Sequence, residues 1–553
     1  MSDDKETIIG KVSATERNPS TIDSFYFWTK SNCKLGPFDV IKVAHFDEST
    51  TYGQIEEISH VTDSASHLSS FISSDFGNTH AEADGNTDRL AFNYVKAKVI
   101  GNTKNIYTPV QHGQLVEKCS IPDIQVALGL KGVNNPLRCG YLEMYKERVP
   151  VDINANFIVG PDGAHLNISG ISGLASKTSY CMFLLNALQQ KYMHSDDEPE
   201  KTVAFVIFNV KGQDLLSIDV PAHMDKKTLE KYEILEVQPI PFQNVRYFYP
   251  YSDSASDHNI QSFGNWDETI SIQEITNKMS RFKYTCKSCL DKLEYLFAGE
   301  EDATGTMDSI ITHIANERPP FEHVKTWSTF QQQLKSVLKD KGSTSGSGIA
   351  LSSWKKFNRI IEKVLSDKVF ADNICEEKNE VVLADSLNQI KPNEVFVIDI
   401  AKLDEKSQAF VFGDVMETLH EMMSAKKIAG MPDKIVVFVD ELNKYASTDI
   451  PKSSPILKQL LEITERGRSL GLILFSVEQF RSAIHDRIKG NCATSAYGRT
   501  NFVEVGKPDY RYLGDTYRNI MTRLPQGEYI ISNPALRSLI HIHFPKPPYK
   551  ENK

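Results

Sequence analysis

The sequence predicts an α/β core on a largely parallel sheet, preceded by an N-terminal β domain and interrupted by a helical insert. Three observations predict it. Short, continuous apolar runs recur from about residue 151 onward, a Gly-rich turn joins one such run to a helix, and short alternating segments fill the chain before that point.

The N-terminal segments read as strands. Phe25-Tyr26-Phe27-Trp28 is aromatic, Asp39-Val40-Ile41-Lys42-Val43 is β-branched, and Val95, Ala97 and Val99 alternate with Lys96 and Lys98. Such alternation marks a half-buried strand, and short strands with long turns suit a small barrel or sandwich. Ala65 to Gly85, rich in Ser, Asp, Asn and Gly, is expected to be a mobile loop.

In the second region, Val203–Phe208, Val395–Ile398, Ile435–Val439 and Leu472–Phe475 are apolar runs of the kind buried on both faces of a parallel sheet. Leu166-Asn167-Ile168-Ser169 precedes the Gly-rich turn, and a helix is expected around Lys177 to Tyr192. The stretch from Ile260 to Asp385 reads as helical. Trp354, Phe357, Ile361 and Val364 recur at helical spacing, with Lys355, Lys356, Arg359 and Lys363 between them, so this helix presents either a solvated basic face or one that meets nucleic acid. Gly342 to Gly348 is a Gly/Ser loop within that stretch. The expected divisions are an N-terminal barrel over 1–150, the first part of the core over 151–259, the helical insert over 260–385 and the second part of the core over 386–553.

Composition narrows the function classes. With 62 Lys+Arg against 72 Asp+Glu, the net charge of −10 argues against coating nucleic acid over the whole surface, though not against a basic pore or groove. No apolar run approaches the roughly 20 residues that cross a bilayer. The polar start, Met1 to Glu6, lacks the apolar core of a secretory signal, so no membrane association and a cytoplasmic location are expected. Eight cysteines are sparse for 553 residues. The one CxxC, Cys286 and Cys289, lacks a second pair and reads as reduced thiols before it reads as a zinc site.

Chemistry enters at Gly170-Ile171-Ser172-Gly173-Leu174-Ala175-Ser176-Lys177-Thr178-Ser179. A Gly-rich turn between strand and helix lets backbone N–H groups face phosphate oxygens at a helix N-terminus. Gly170, Gly173, Ala175, Ser176, Lys177, Thr178 and Ser179 are the candidate nucleotide contacts, with Lys177 on the β- and γ-phosphates and Thr178 on magnesium. Six residues rather than five separate Gly170 from Lys177, and Ser176 stands where a glycine is usual. The loop is then either one residue longer, turning at Gly173, or a poor binder. The second motif is Ile435 to Val439 running into Asp440 and Glu441. A carboxylate at a strand's C-terminal end can hold magnesium, the role given to Asp440, and its neighbour Glu441 can polarise attacking water. Gln479, ending another apolar strand, either senses the γ-phosphate or is a loop glutamine. Arg466, Arg468 and Arg499 are candidate fingers for a neighbouring subunit's transition state.

The order of these pieces resembles the HerA branch of the HerA/FtsK superfamily of ring ATPases. It runs from Ile168–Gly173 and Lys177-Thr178 through Phe208–Gly212, Val397-Ile398-Asp399, Val439–Tyr445 and Glu465–Arg468 to Gln526-Gly527-Glu528-Tyr529 and Phe544–Pro548. The resemblance implies an α/β P-loop (RecA-like) ATPase core with an N-terminal β-barrel domain and a helical insert. It implies ATP and Mg2+ as cofactors and a hexameric ring moving on double-stranded DNA. The barrel would dock a nuclease or other effector, in antiphage defence among bacterial relatives. Asn209 stands where that family often has an aspartate and receives no role. The alternatives are a nucleotide-binding scaffold that organises and activates a partner with little translocation, or an ATPase acting on protein.

Overall fold

The computed structural model describes residues 7–73, 90–171, 173, 176–193, 202–302, 305–339, 348–425 and 429–552. Six strands open the chain: β1 (Ile8–Val12), β2 (Ser24–Lys30), β3 (Val40–Ala44), β4 (Thr50–Thr62), β5 (Ala91–Asn102) and β6 (Leu115–Lys118). They close into a barrel in the order β1-β2-β5-β4-β3-β6, sealed by antiparallel pairing of β6 with β1. Alternation sends Phe25, Phe27, Ile41, Val43, Val95 and Ala97 inward, where each is almost fully buried. Of the expected loop from Ala65 to Gly85, His67–Ser73 is instead a short helix, and residues 74–85 lie outside the described residues.

Thirteen further strands form one sheet. They are β7 (Pro136–Met144), β8 (Glu147–Asn154), β9 (Leu166–Ser169), β10 (Val203–Asn209), β11 (Val245–Pro250), β12 (Met279–Lys283), β13 (Glu380–Val382), β14 (Val395–Asp399), β15 (Lys434–Asp440), β16 (Leu472–Glu478), β17 (Thr494–Tyr497), β18 (Glu528–Ser532) and β19 (Ile540–His543). Their order is β13-β12-β11-β14-β10-β15-β16-β9-β17-β18-β19-β7-β8. From β13 to β17 every pairing is parallel; from β17 to β8 every pairing is antiparallel. The parallel centre explains the continuous apolar runs. Helices cover both faces, so all of Val203–Asn209 and of Leu472–Glu478 is buried, at roughly 1.5–3 kcal/mol for each large apolar side chain.

Sheet membership crosses the expected divisions. β7 (Pro136–Met144) falls within the expected 1–150 division and β8 (Glu147–Asn154) straddles its end, yet both pair into the large sheet, not the barrel, while β12 and β13 carry the 260–385 stretch into the parallel edge. The rest of that stretch is helical. In the helix Leu351–Val364, Trp354, Phe357, Ile361 and Val364 are buried and Lys355, Arg359 and Lys363 are exposed, while Lys356 lies 3.6 Å from Glu300. Cys286 and Cys289 are both buried at a 3-10 turn. Of the Gly/Ser loop, 342–347 lies outside the described residues.

Two packing details fix the frame around the site. Gly413 sits in the helix Glu405–Ser424 against the Tyr295 ring, where a Cβ would meet ring carbon at 2.3 Å. Gln54 joins barrel to core: its Nε2 donates to the Leu539 carbonyl at 3.0 Å, and its Oε1 accepts from Ser538 Oγ at 2.6 Å.

Candidate functional site

Register brings the C-terminal ends of β9, β15, β16 and β17 to one edge of the sheet. Glu478 pairs with Ser169, Tyr497 with Ser169, and Asp440 with Val477. Loops leaving such ends are where parallel sheets place ligands. The loop after β9 is pinned at its start, because Gly170 N–H donates to the Glu478 carbonyl at 3.2 Å and Ile171 N–H to the Arg499 carbonyl at 2.8 Å. Gly173 has φ of +78° with nothing within 4 Å of where a Cβ would stand, so the turn needs its conformational freedom and stays open to a ligand. Ser176 adopts φ of +48°, which is the left-handed region that explains why glycine is usual here; a serine there costs about 1 kcal/mol. Its Oγ accepts from Gln526 Nε2 at 2.8 Å, which holds the strained residue in place. Ala175 lies outside the described residues.

The helix Lys177–Met193 begins directly after this turn. Thr178 Oγ1 donates to Asp440 Oδ2 at 3.0 Å, joining residues 262 apart in sequence. Two hard oxygen donors at that spacing fit Mg2+, whose octahedral bonds of about 2.0–2.1 Å place adjacent ligands roughly 3 Å apart. Lys177 is 6 % exposed. Burial lowers its pKa and the Asp440 carboxylate pulls it back up, so the ammonium is desolvated and aimed at a site of opposite charge. Gly173, Ser176, Lys177, Thr178, Ser179 and Asp440 all line one cavity of about 280 Å³.

Glu441 follows Asp440 in the left-handed region, at φ of +57°. Its carboxylate pairs with two lysines, Lys211 at 2.5 Å and Lys444 at 3.4 Å. Burial pushes its carboxyl up, but the Lys211 and Lys444 pairs outweigh it and hold the group below its usual range. Lys211 was not foreseen as a site residue, yet it both lines the cavity and pairs with Glu441. Asn209 ties β10 to β14 by donating to Asp399 Oδ1 at 2.9 Å.

A second network was also missed. Glu478 is wholly buried at the end of β16. Asn167 Nδ2 donates to Glu478 Oε1, and Arg481 donates to Asn167 Oδ1. Burial raises the Glu478 carboxyl to about 8, against the pull of Arg481 and Asn167, so it carries a proton at neutral pH. Among the described residues Oε2 has no hydrogen-bond partner, so no donor stabilises a charge on that oxygen. The available signal was an acid ending a largely apolar strand with an arginine three residues on.

The remaining candidates scatter. Gln479, half-buried after β16, does not line the cavity. Arg499 stands beside the Gly-rich loop through its carbonyl. Arg466 and Arg468 sit at the end of the helix Pro455–Leu470, just before β16 starts. They therefore lie at the opposite sheet edge, about 20 Å from Glu478 at the rise of an extended strand. Arg466 pairs with Glu462 at 3.3 Å and Arg468 donates to the Asp162 carbonyl at 3.2 Å. Neither reaches this chain's own Gly-rich loop.

The C-terminal segment crosses the cavity mouth. Ala222 N–H donates to the Pro548 carbonyl and Lys550 N–H to the Val220 carbonyl, Tyr549 is buried, and Glu551 Oε1 accepts from Ser179 Oγ at 3.0 Å. A carboxylate thus occupies the first helical turn, where phosphate would bind. Glu551→Ala is expected to tighten binding of ATP about two- to fivefold, the range for an exposed charge contact, read by titration of a fluorescent nucleotide analogue. Unchanged or weaker binding would show that the carboxylate does not compete.

No protein-family model and no curated protein sequence matches the chain. Solved structures resemble it at low identity. The bacterial conjugative coupling protein TrwB aligns at 12% identity over 69% of this chain and 84% of its own, with a TM-score of 0.39. VirB4 of Thermoanaerobacter pseudethanolicus aligns at 11% over 75% of this chain and 97% of its own, with a TM-score of 0.40. The genome packaging NTPase B204 of Sulfolobus turreted icosahedral virus 2, in complex with ATP-gammaS, aligns at 14% over 29% of this chain and 71% of its own, with a TM-score of 0.21. Among the described residues no helix is long and apolar enough to cross a membrane. The chain's own geometry is an α/β fold with a Gly-rich loop, a buried lysine and a paired threonine and aspartate at one sheet edge.

Proposed function

We propose that the chain is an ATP-hydrolysing motor of the ring-forming type that moves on double-stranded DNA with a nuclease or other effector subunit, in antiphage defence. The observation that carries it is the Thr178–Asp440 contact beside buried Lys177, which brings the candidate nucleotide and metal residues together from distant segments. Bound Mg2+ would neutralise phosphate charge; Thr178 and Asp440 would hold it. Lys177 binds the phosphates, Glu441 orients and deprotonates the attacking water, and Glu478 braces the loop through Asn167.

A ring is supported by exposed apolar residues beside Arg499. Phe502 is 79 % and Val503 74 % exposed, and Ser482 ties their segment to the one after β16 by donating to Glu504 at 2.7 Å. A neighbouring copy covering them would also meet Gln479 and Arg499. A DNA substrate is supported by the motif order and by Lys355, Arg359 and Lys363, four residues apart on one exposed helix face. The effector would dock on the barrel.

The test is ATP turnover with and without duplex DNA, beside Lys177→Ala. Turnover that DNA raises and Lys177→Ala abolishes is the expected result. The paired state of Glu441 favours a second reading, a nucleotide-dependent scaffold that activates a partner. ATP binding without turnover, with or without DNA, would support that reading and overturn the motor.

A further inference from the structure

Away from the phosphate loop, β18 and β19 converge three metal-type side chains. The antiparallel register sets Glu528 directly opposite His543, and His541, two residues back on the same strand, shares that face. His541 Nε2 lies 2.8 Å from Glu528 Oε2 and His543 Nδ1 lies 3.5 Å from Glu528 Oε1. The three donor atoms all fall within 4.8 Å of one another. We propose that Glu528, His541 and His543 bind one first-row divalent transition ion, of which Zn2+ is the natural probe.

Two imidazoles and a carboxylate are a donor set that such ions favour over Mg2+ or Ca2+. Tetrahedral zinc with bonds of about 2.0–2.2 Å holds its ligand atoms roughly 3.4 Å apart, so the carboxylate moves little to admit an ion between the rings. The rings are already oriented: Tyr141 stacks on His543 at 5.2 Å and Phe38 lies 5.5 Å from His541. The side chains of His541, Glu528 and His543 are 25 %, 16 % and 19 % exposed. An ion can therefore enter, and water can complete the coordination. A metal ion takes an imidazole nitrogen that carries no proton, so on binding His541 Nε2 gives up the hydrogen bond it otherwise shares with Glu528. Lys231 opposes a cation through its charge near Glu528, and Glu143 near His543 favours one. The site has a mechanical address as well. Gln526, two residues before Glu528, bonds the phosphate-loop serine, and Phe38 comes from the barrel. An ion here would brace the strand pair that touches both.

The experiment is competition of the full chain, cleared of metal by chelation, against a zinc-chelating dye, together with Co2+ absorption. One tight equivalent is expected, with a tetrahedral or five-coordinate Co2+ spectrum free of thiolate charge-transfer bands. Loss of both rings in His541→Ala/His543→Ala should weaken it at least about 100-fold, the upper end of what losing even an outer partner costs. Because that variant also loses aromatic packing, zinc X-ray absorption on the unaltered chain is the second measurement. Nitrogen and oxygen scatterers near about 2.0–2.1 Å with imidazole outer shells support the site. No equivalent bound, binding that survives the double variant, or sulfur scattering that places the ion on cysteines would each overturn it.

Discussion

Glu441→Gln is expected to lower kcat for ATP by about 10²–10⁴-fold, the usual contribution of a positioned general base, while leaving nucleotide affinity unchanged. The split follows from geometry. Lys177, Thr178 and Asp440 line the cavity and Glu441 does not. The amide keeps the shape of the carboxylate but cannot take a proton. Lys211 supplies an independent readout, because it is the stronger of the two lysines holding the Glu441 carboxyl down. With that pair intact, Glu441 stays ionised across the neutral range, and kcat/KM should not fall on its account until pH drops below the ordinary glutamate value. Lys211→Ala removes the larger of the two opposing charges and leaves Lys444 alone against burial, so the acid limb should move up. Steady-state profiles of the wild type, Lys211→Ala and Glu441→Gln test both points. An acid limb that stays in place in Lys211→Ala, or a Glu441→Gln enzyme that turns over normally, would remove Glu441 from the base role.

What was legible in the sequence was whatever a single segment determines. The apolar runs Val203–Phe208 and Ile435–Val439 could only be doubly buried strands, because nothing along them offers a polar face to water. Lys177-Thr178 at a helix start and Asp440 at a strand end were legible as positions, and the structure places them there. What was not legible depends on register. β12 and β13 are five and three residues of mixed polarity, indistinguishable from loop until they pair at the sheet edge. Arg466 and Arg468 looked close to the glutamine strand because they precede it by few residues, yet a strand runs its whole length between them and the site. Glu478 carries no signal of its own in the sequence beyond standing at the polar end of a core strand. Only the Asn167 contact across β9 and β16, 311 residues apart, reveals it as a buried acid. Glu528 with His541 and His543 is likewise a product of cross-strand pairing.

Glu478 makes the largest pH-dependent contribution to stability that the site predicts. Its folded-state pKa, about 8, is raised above the ordinary value of 4.5. A raised value means that the folded chain keeps a proton the unfolded chain releases. The resulting stability is fully present below pH 4.5 and is lost as pH rises through 8. Across that window the slope is about −1.4 kcal/mol per pH unit, a few kcal/mol in all. Asp399, pushed up to about 6 by burial, acts in the same direction over a narrower range. Glu478→Gln holds no titrating proton, and its amide oxygen still accepts from Asn167. The variant should therefore gain on the wild type steadily from pH 5 to 8 in urea midpoints, and Asp399→Asn should separate from it by levelling off above pH 6. Glu478→Ala, which also opens a void and strands Asn167, should be destabilised at every pH, by about 2–4 kcal/mol. The consequence for function is local. Gly170 N–H rests on the Glu478 carbonyl and Asn167 sits on the strand that delivers the phosphate loop. Ionising Glu478 above pH 8 then loosens the loop's anchor, and ATP affinity should fall there in the wild type and hold in Glu478→Gln. Parallel stability curves for the two proteins would show that the carboxyl is ionised at neutral pH after all, and that Arg481, not a proton, balances it.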